Sequence, residues 1–275
     1  MKYNNYSVLM SVYYKEKAEY LQQSLDSIFN QTFPTNDFVL VCDGPLTKSL
    51  DDVIEKAKKQ YSDIFRVIRL DENLGLGNAL NIGIKCCKNE IVARMDSDDI
   101  SFPDRCERQI KIFNNMDNVS IVSGTVEEFS SDINIVDSKR VLPENNKNIR
   151  EFAKSRNPFN HPCVMYKKSD VETAGGYQDF YLLEDYYLWV RMLLKGFKGY
   201  NIQNSLLYMR AGSDMYKRRS GWRYLKSQRN LFKYMKKKNF ISTSEYIKSV
   251  IIRGGSSIAP NRVRKFVFEK VLRNK

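Results

Sequence analysis

Apolar positions in the first 125 residues fall into short unbroken runs separated by amphipathic stretches. Residues 6–12 read as a strand, and residues 18–30 place Leu21, Leu25, Ile28 and Phe29 at helical spacing. Residues 38–42 form a second apolar run that ends in Asp43-Gly44, a turn. Thr47 stands where a cap is wanted for a helix to about Gln60. Residues 65–70 then read as a third strand, 76–87 as a third helix and 91–95 as a fourth strand. Pro103 suits the first position of the next helix, and residues 120–124 read as a fifth strand. This alternation predicts an α/β fold, a doubly wound and mostly parallel sheet with helices on both faces.

The pattern then loosens. Residues 127–142 read as short strands in a hairpin-like excursion, and residues 157–162 as a loop before a strand at 164–166. Gly175-Gly176 breaks the chain, and Glu184-Asp185 opens a helix to Lys195, its acids suited to the positive N-terminal end. From 222 to 238, Leu225, Phe232 and Met235 recur among Arg and Lys. Pro260 opens a last helix with Val263, Phe266, Val267 and Val271 on one broad face. The chain shows no internal repeat and no low-complexity linker.

Charge divides the chain. Residues 217–275 carry 18 Lys and Arg against Glu245 and Glu269, whereas the other 216 residues carry 27 basic and 30 acidic side chains. The net charge of +13 therefore comes from the C-terminal segment, and the shift predicts a functional boundary near residue 215. A basic amphipathic helix can lie on an anionic membrane surface. The hydrophobic content of 42% supports a real core, yet no apolar stretch approaches the ~20 residues that span a bilayer. The first apolar run is too short for a signal peptide, so a cytoplasmic protein is expected. Cys42, Cys86, Cys87, Cys106 and Cys163 show no CxxC spacing and read as reduced, buried thiols. With His161 the only histidine, a zinc site is not expected.

The candidate chemistry centres on Arg94-Met95-Asp96-Ser97-Asp98-Asp99, which follows the apolar run Ile91-Val92-Ala93. A buried strand ending in acids delivers them to the carboxyl edge of the sheet, where open α/β sheets bind ligands. Carboxylates this close repel, and a divalent cation is the economical counterion.

Ser7-Val8-Leu9-Met10-Ser11-Val12-Tyr13, Asp43 after a strand, the segment from Asn73-Leu74-Gly75 to Asn81, Asp96-Ser97-Asp98-Asp99 and Glu184-Asp185 occur in this order. Together they resemble the inverting glycosyltransferases of family 2, which have the GT-A fold. The resemblance covers residues 6 to about 210 and is nearest to bacterial enzymes that build O-antigen or capsule repeat units. It implies a GT-A catalytic domain over residues 1–215, with a nucleotide-sugar half (1–125) and an acceptor half (126–215), followed by a basic helical extension over 216–275. It also implies Mn²⁺ or Mg²⁺ held by Asp98, with Asp96 reaching the ribose of the donor or the metal, and Asp99 as support.

The same resemblance assigns Asp43 to the uracil imide and sets Ser11 and Tyr13 to bracket the base. Gly75 and Gly77 let backbone approach the diphosphate at a helix N-terminus. Asn81 joins the donor contacts, although Leu80 stands where many relatives carry Arg. Asp185 matches the base that takes the proton of the acceptor hydroxyl, with Glu184 beside it. Trp189 and His161 are candidates for contact with the acceptor or the diphosphate.

The implied activity is transfer of glucose or galactose from a UDP-sugar to an acceptor of the N-acetylglucosaminyl-diphospho-undecaprenol type, through a β-1,3 bond, at the inner face of the cell membrane. Four other readings compete: transfer to a different acceptor, a sugar nucleotidyltransferase, a nucleic-acid-binding module, and a non-catalytic sugar-binding or scaffold protein that keeps the fold, against which the intact acids argue. Residues 11–17 lack the glycine-rich, arginine-bearing loop of the nucleotidyltransferases. The acidic motifs would repel a phosphate backbone, so no nucleic-acid partner is expected.

Overall fold

The computed structural model describes residues 2–211 and 221–258; the expected helix from Pro260 lies outside them. The first half follows the predicted alternation: β1 (Ser7–Val12), α1 (Ala18–Phe29), β2 (Asp37–Cys42), α2 (Lys48–Gln60), β3 (Phe65–Arg69), α3 (Leu76–Cys86) and β4 (Ile91–Asp96). After it come β5 (Ile100–Ser101), α4 (Arg105–Asn115), β6 (Val119–Phe129), β7 (Ser138–Arg140) and α5 (Asn146–Phe152). Next are β8 (Met165–Lys167), α6 (Lys168–Thr173), α7 (Glu184–Leu194), β9 (Lys198–Arg210), α8 (Trp222–Lys237) and α9 (Thr243–Ile258).

All nine strands join one sheet in the order β3-β2-β1-β4-β8-β6-β9-β5, with β7 paired to β6. β1 to β4 are parallel neighbours, whereas β8 runs antiparallel to both β4 and β6. β1 and β2 are wholly or nearly wholly buried along their length, as expected of parallel strands covered on both faces. One apolar cluster packs α3 and α7 on one face of the sheet, and the other packs α1, α2 and α4 on the opposite face.

Several expectations are corrected. The strand at 120–124 is longer and the sixth in the chain, and it lies between β8 and β9. α4 starts at Arg105, two residues after Pro103, because Phe102 N–H bonds Leu206 O and ties this segment to β9. Thr47 occupies the N-cap position of α2, but its hydroxyl reaches Ser49 Oγ rather than the helix backbone. β5 and β9 carried no expectation. All five cysteines are free thiols, four of them buried. Among the described residues no helix is long and apolar enough to cross a membrane.

Candidate functional site

The carboxyl ends of β1, β2 and β4 lie side by side. Ser11 pairs in register with Asp96, Val12 with Cys42, and Asp43 N–H donates to Val12 O at 2.8 Å. Ser11, Tyr13, Asp43 and Asp96 therefore share one edge. Tyr13 is 36% exposed and stands edge-on to Tyr14.

Asp43 is buried, and its two oxygens accept from Leu74 N–H at 2.7 Å and Gly75 N–H at 3.0 Å. It thereby anchors the loop that enters α3. Gly44 (φ +88°) lets this loop close in, since a Cβ there would stand 2.8 Å from Asn73 N. Gly75 is the N-cap of α3 at φ +84°, a backbone state that favours glycine. A Cβ on Gly77 would lie 3.5 Å from Tyr177 Cβ and 3.8 Å from Glu184 Cβ, so the first turn of α3 abuts α7. Asn81 bridges to Tyr177: its Nδ2 donates to Tyr177 O at 2.6 Å and its Oδ1 accepts from Tyr177 N–H at 2.8 Å.

Asp96, Asp98 and Asp99 bring carboxylate oxygens within 4.8 Å of one another. Beneath them the guanidinium of Arg94, 1% exposed, makes an ion pair with Asp96, while its Nε and Nη1 have no hydrogen-bond partner. One buried cation does not offset three acids. Burial, then the charges of Asp96 and Glu16, push Asp98 up to about 7, and burial with Asp98 and Asp96 raises Asp99 well above the usual carboxylate range. Asp99 Oδ1 accepts from Arg210 N–H at 2.8 Å, but its Oδ2 is buried without a partner. This oxygen-only cluster, short of positive charge and holding an unpaired oxygen, fits a hard divalent cation.

Three residues assigned no role from the sequence complete this corner. Glu16 Oε2 accepts from Ser97 Oγ at 2.8 Å and faces the cluster from the β1–α1 loop. Arg210, at the end of β9, donates from Nε to Asp98 O at 3.0 Å and from Nη2 to Gln23 Oε1 at 2.8 Å. Its guanidinium lies over the Tyr20 ring at 3.8 Å. Arg94 is a visible signal, an arginine inside an apolar run that only a buried acid can justify.

Glu184 and Asp185 open α7, as expected. Just before them Leu182 holds φ +57°, a strained state for a leucine, of the kind that gathers at functional sites. Asn157 Nδ2 donates to Asp185 Oδ2 at 2.6 Å, and Tyr186 N–H donates to Oδ1 at 2.7 Å, which fixes that carboxylate. Glu184 is pushed up to about 7, first by burial and then by Asp185, with Arg94 and Asp96 near enough to act on it.

Two acceptor candidates sit elsewhere. Trp189 is fully buried among Phe159, His161, Tyr166 and Tyr177, so it belongs to the core and presents no face to a sugar. Its position one turn after Asp185 allowed either an acceptor contact or core packing, and α7 is buried on nearly every side. His161 Nε2 meets Tyr177 Oη at 2.9 Å. Burial and the charge of Arg94 hold its pKa well below the usual value, so the ring is neutral.

Residues 7–174 match the model of glycosyl transferase family 2. The amylovoran biosynthesis glycosyltransferase AmsE of Erwinia amylovora is 39% identical over 268 residues, covering 96% of this chain and 98% of that protein. An Escherichia coli UDP-Gal:alpha-D-GlcNAc-diphosphoundecaprenol beta-1,3-galactosyltransferase is 35% identical over 98% of this chain and 96% of its own. Among solved structures, S. aureus TarS 1-349 in complex with UDP-GlcNAc superimposes with a TM-score of 0.70 at 16% identity, over 98% of this chain and 76% of that one. The chain spans 45% of a longer TarS structure. These likenesses establish the GT-A fold expected from the motifs, and with a family model over most of its sheet and full-length relatives above 30% identity the chain belongs to glycosyltransferase family 2 and is a glycosyltransferase.

Proposed function

We propose that this enzyme transfers a hexose, glucose or galactose, from a UDP-sugar to a polyprenyl-diphosphate-linked N-acetylglucosamine, with inversion and through a β-1,3 bond, in O-antigen or capsule assembly. The observation that carries this reading is that Asp43 and Glu184 both meet the first turn of α3, while Asp96, clustered with Asp98 and Asp99, lies near enough to Glu184 to act on its charge. The full-length likeness to a galactosyltransferase of that acceptor supports the substrates.

In this reading Ser11, Tyr13 and Asp43 hold the uridine, and the N-terminal turn of α3, beyond the Gly75 N–H that Asp43 already engages, faces the diphosphate. Asn81 acts by fixing Tyr177 against α3. Asp98 with Asp96 would hold Mn²⁺ or Mg²⁺, which when bound supplies positive charge for the departing diphosphate. Asp185, held by Asn157, takes the proton of the acceptor hydroxyl. The hydroxyl oxygen bonds the anomeric carbon from one face as the bond to the diphosphate breaks on the other, and UDP leaves. A second reading makes Glu184 the base, because a carboxyl pushed up to about 7 is matched to proton transfer at neutral pH.

The extension over 216–275 is proposed to bring the catalytic domain, residues 1–215, to the anionic inner face of the membrane where such an acceptor resides. A panel of UDP-sugars offered with a synthetic GlcNAc-diphospho-lipid and Mn²⁺, with NMR of the product, tests the whole reading. A β-1,3-linked hexose product is expected. No transfer from any UDP-sugar, or an α-linked product, overturns it.

A further inference from the structure

α9 is packed with its weaker apolar face inward. The side chains it turns to α8 include Tyr246, Ser249 and Val250, and they leave a cleft of about 300 Å³ against Leu225 and Phe232. Three isoleucines of its first ten residues face solvent instead: Ile247 is 51% exposed, Ile251 67% and Ile252 46%. Ile247 and Ile251 are one helical turn apart on a single face. At the start of α8, Trp222 is 79% exposed. Large apolar side chains gathered on the surface of a helix mark a contact surface rather than chance exposure.

The surrounding charge identifies what is contacted. Lys226, Arg229, Lys233 and Lys248 are exposed on the same helix pair, as are the three lysines of 236–238. The one acid of the two helices, Glu245, is already engaged by Ser242 N–H at 2.7 Å and by Lys154. Isoleucines and a tryptophan rimmed by unopposed cations match the interfacial zone of an anionic bilayer, where apolar side chains enter the acyl boundary and lysines meet headgroups.

The inner side of α8 meets the catalytic domain at the loop before α7. Ser227 Oγ donates to Tyr181 O at 2.8 Å, and the Arg223 guanidinium lies over the Tyr181 ring at 4.1 Å. Tyr181 directly precedes the strained Leu182 and lies three residues before Glu184. α8 thus joins the surface of α9 to the loop that enters α7.

We infer that Ile247, Ile251, Ile252 and Trp222 form the membrane-inserting face of this enzyme, seating the acceptor side of the site on an anionic lipid surface. This rests on the proposed attachment to a membrane and adds the residues that enter it.

The full-length protein carries two tryptophans, Trp189 and Trp222, and Trp189 is fully buried. A change of tryptophan emission on lipid therefore reports Trp222. Adding phosphatidylglycerol vesicles is expected to blue-shift the emission, with no shift for Trp222→Phe. In vesicle sedimentation, the variant Ile247→Ser/Ile251→Ser/Ile252→Ser is expected to bind phosphatidylglycerol at least about tenfold more weakly at high salt. It should keep the melting temperature and the activity on a water-soluble acceptor of the parent.

Three results overturn the inference while leaving membrane attachment standing: no emission shift from a parent that binds vesicles, equal binding by the triple variant, or loss of self-association in that variant by size exclusion. A parent that binds no vesicles sinks the attachment itself.

Discussion

The main-chain N–H of Arg210 donates to Asp99 Oδ1 at 2.8 Å, tying the end of β9 to the acidic cluster. The Arg210 side chain fixes the neighbouring peptide through Asp98 O and is braced by Gln23, Tyr20 and Phe129. Arg210→Ala keeps the backbone bond and removes the brace. It is expected to weaken Mn²⁺ binding about tenfold, about 1.4 kcal/mol, by titration calorimetry with little change in melting temperature. An unchanged affinity removes this role from the side chain.

Asp98 and Glu184 both rise to about 7 in the folded protein. A carboxyl whose folded pKa is raised binds more protons folded than unfolded, so stability falls as pH rises from the ordinary carboxylate range through about 7. Metal-free protein should melt lower at pH 8 than at pH 5.5. Mn²⁺ should raise the melting temperature more at pH 8, where the carboxylates are ionised. Asp98→Asn should flatten both trends and lower turnover by at least about a hundredfold. Differential scanning fluorimetry across pH, with and without Mn²⁺, checks the stability trends.

Asp185 and Glu184 are separated by substitution. Asp185→Asn is expected to lower kcat by about 10²–10⁴-fold with donor binding intact. Glu184→Gln should act more weakly and move the acidic limb of the pH–rate profile. If Glu184→Gln gives the larger loss and abolishes that limb while Asp185→Asn retains turnover, the base is Glu184.

Trp189 behaves as core. Trp189→Ala should cost about 3–5 kcal/mol of stability by chemical denaturation. Trp189→Phe should cost less, since it deletes an indole N–H that is buried without a partner. Where the variants stay folded, the acceptor KM should remain that of the parent; a selective rise in it would return Trp189 to the binding surface.

The strands of the first half were legible because β1, β2 and β4 are short apolar runs bounded by turn residues. The acids at their ends came with them. β9 was not legible for a physical reason. Its register against β6 shifts three times, between Val119 and Ile121, Gly124 and Thr125, and Thr125 and Val126, so burial along KGYNIQNSLLYMR loses the period of two. Arg210 was lost with it. β5 is two residues long and exists only through its pairing with β9. Asn157 and Tyr177 lie in loops, and their contacts with Asp185, His161 and Asn81 depend on the tertiary fold. Trp189 was open to both a core and an acceptor reading because a helix buried on most of its circumference gives periodicity nothing to discriminate.

The expected boundary near residue 125 between the nucleotide and acceptor halves falls inside β6, and the halves are stitched further by β4 on β8, by β5 on β9, and by the first half of β6 on β8 and β9. Recombination between relatives at such a seam would sever strand pairs from the middle of a shared sheet. Exchange of residues 126–215 with those of a relative is therefore expected to cost folding, whereas substitutions on the loops around α7 leave the shared sheet intact.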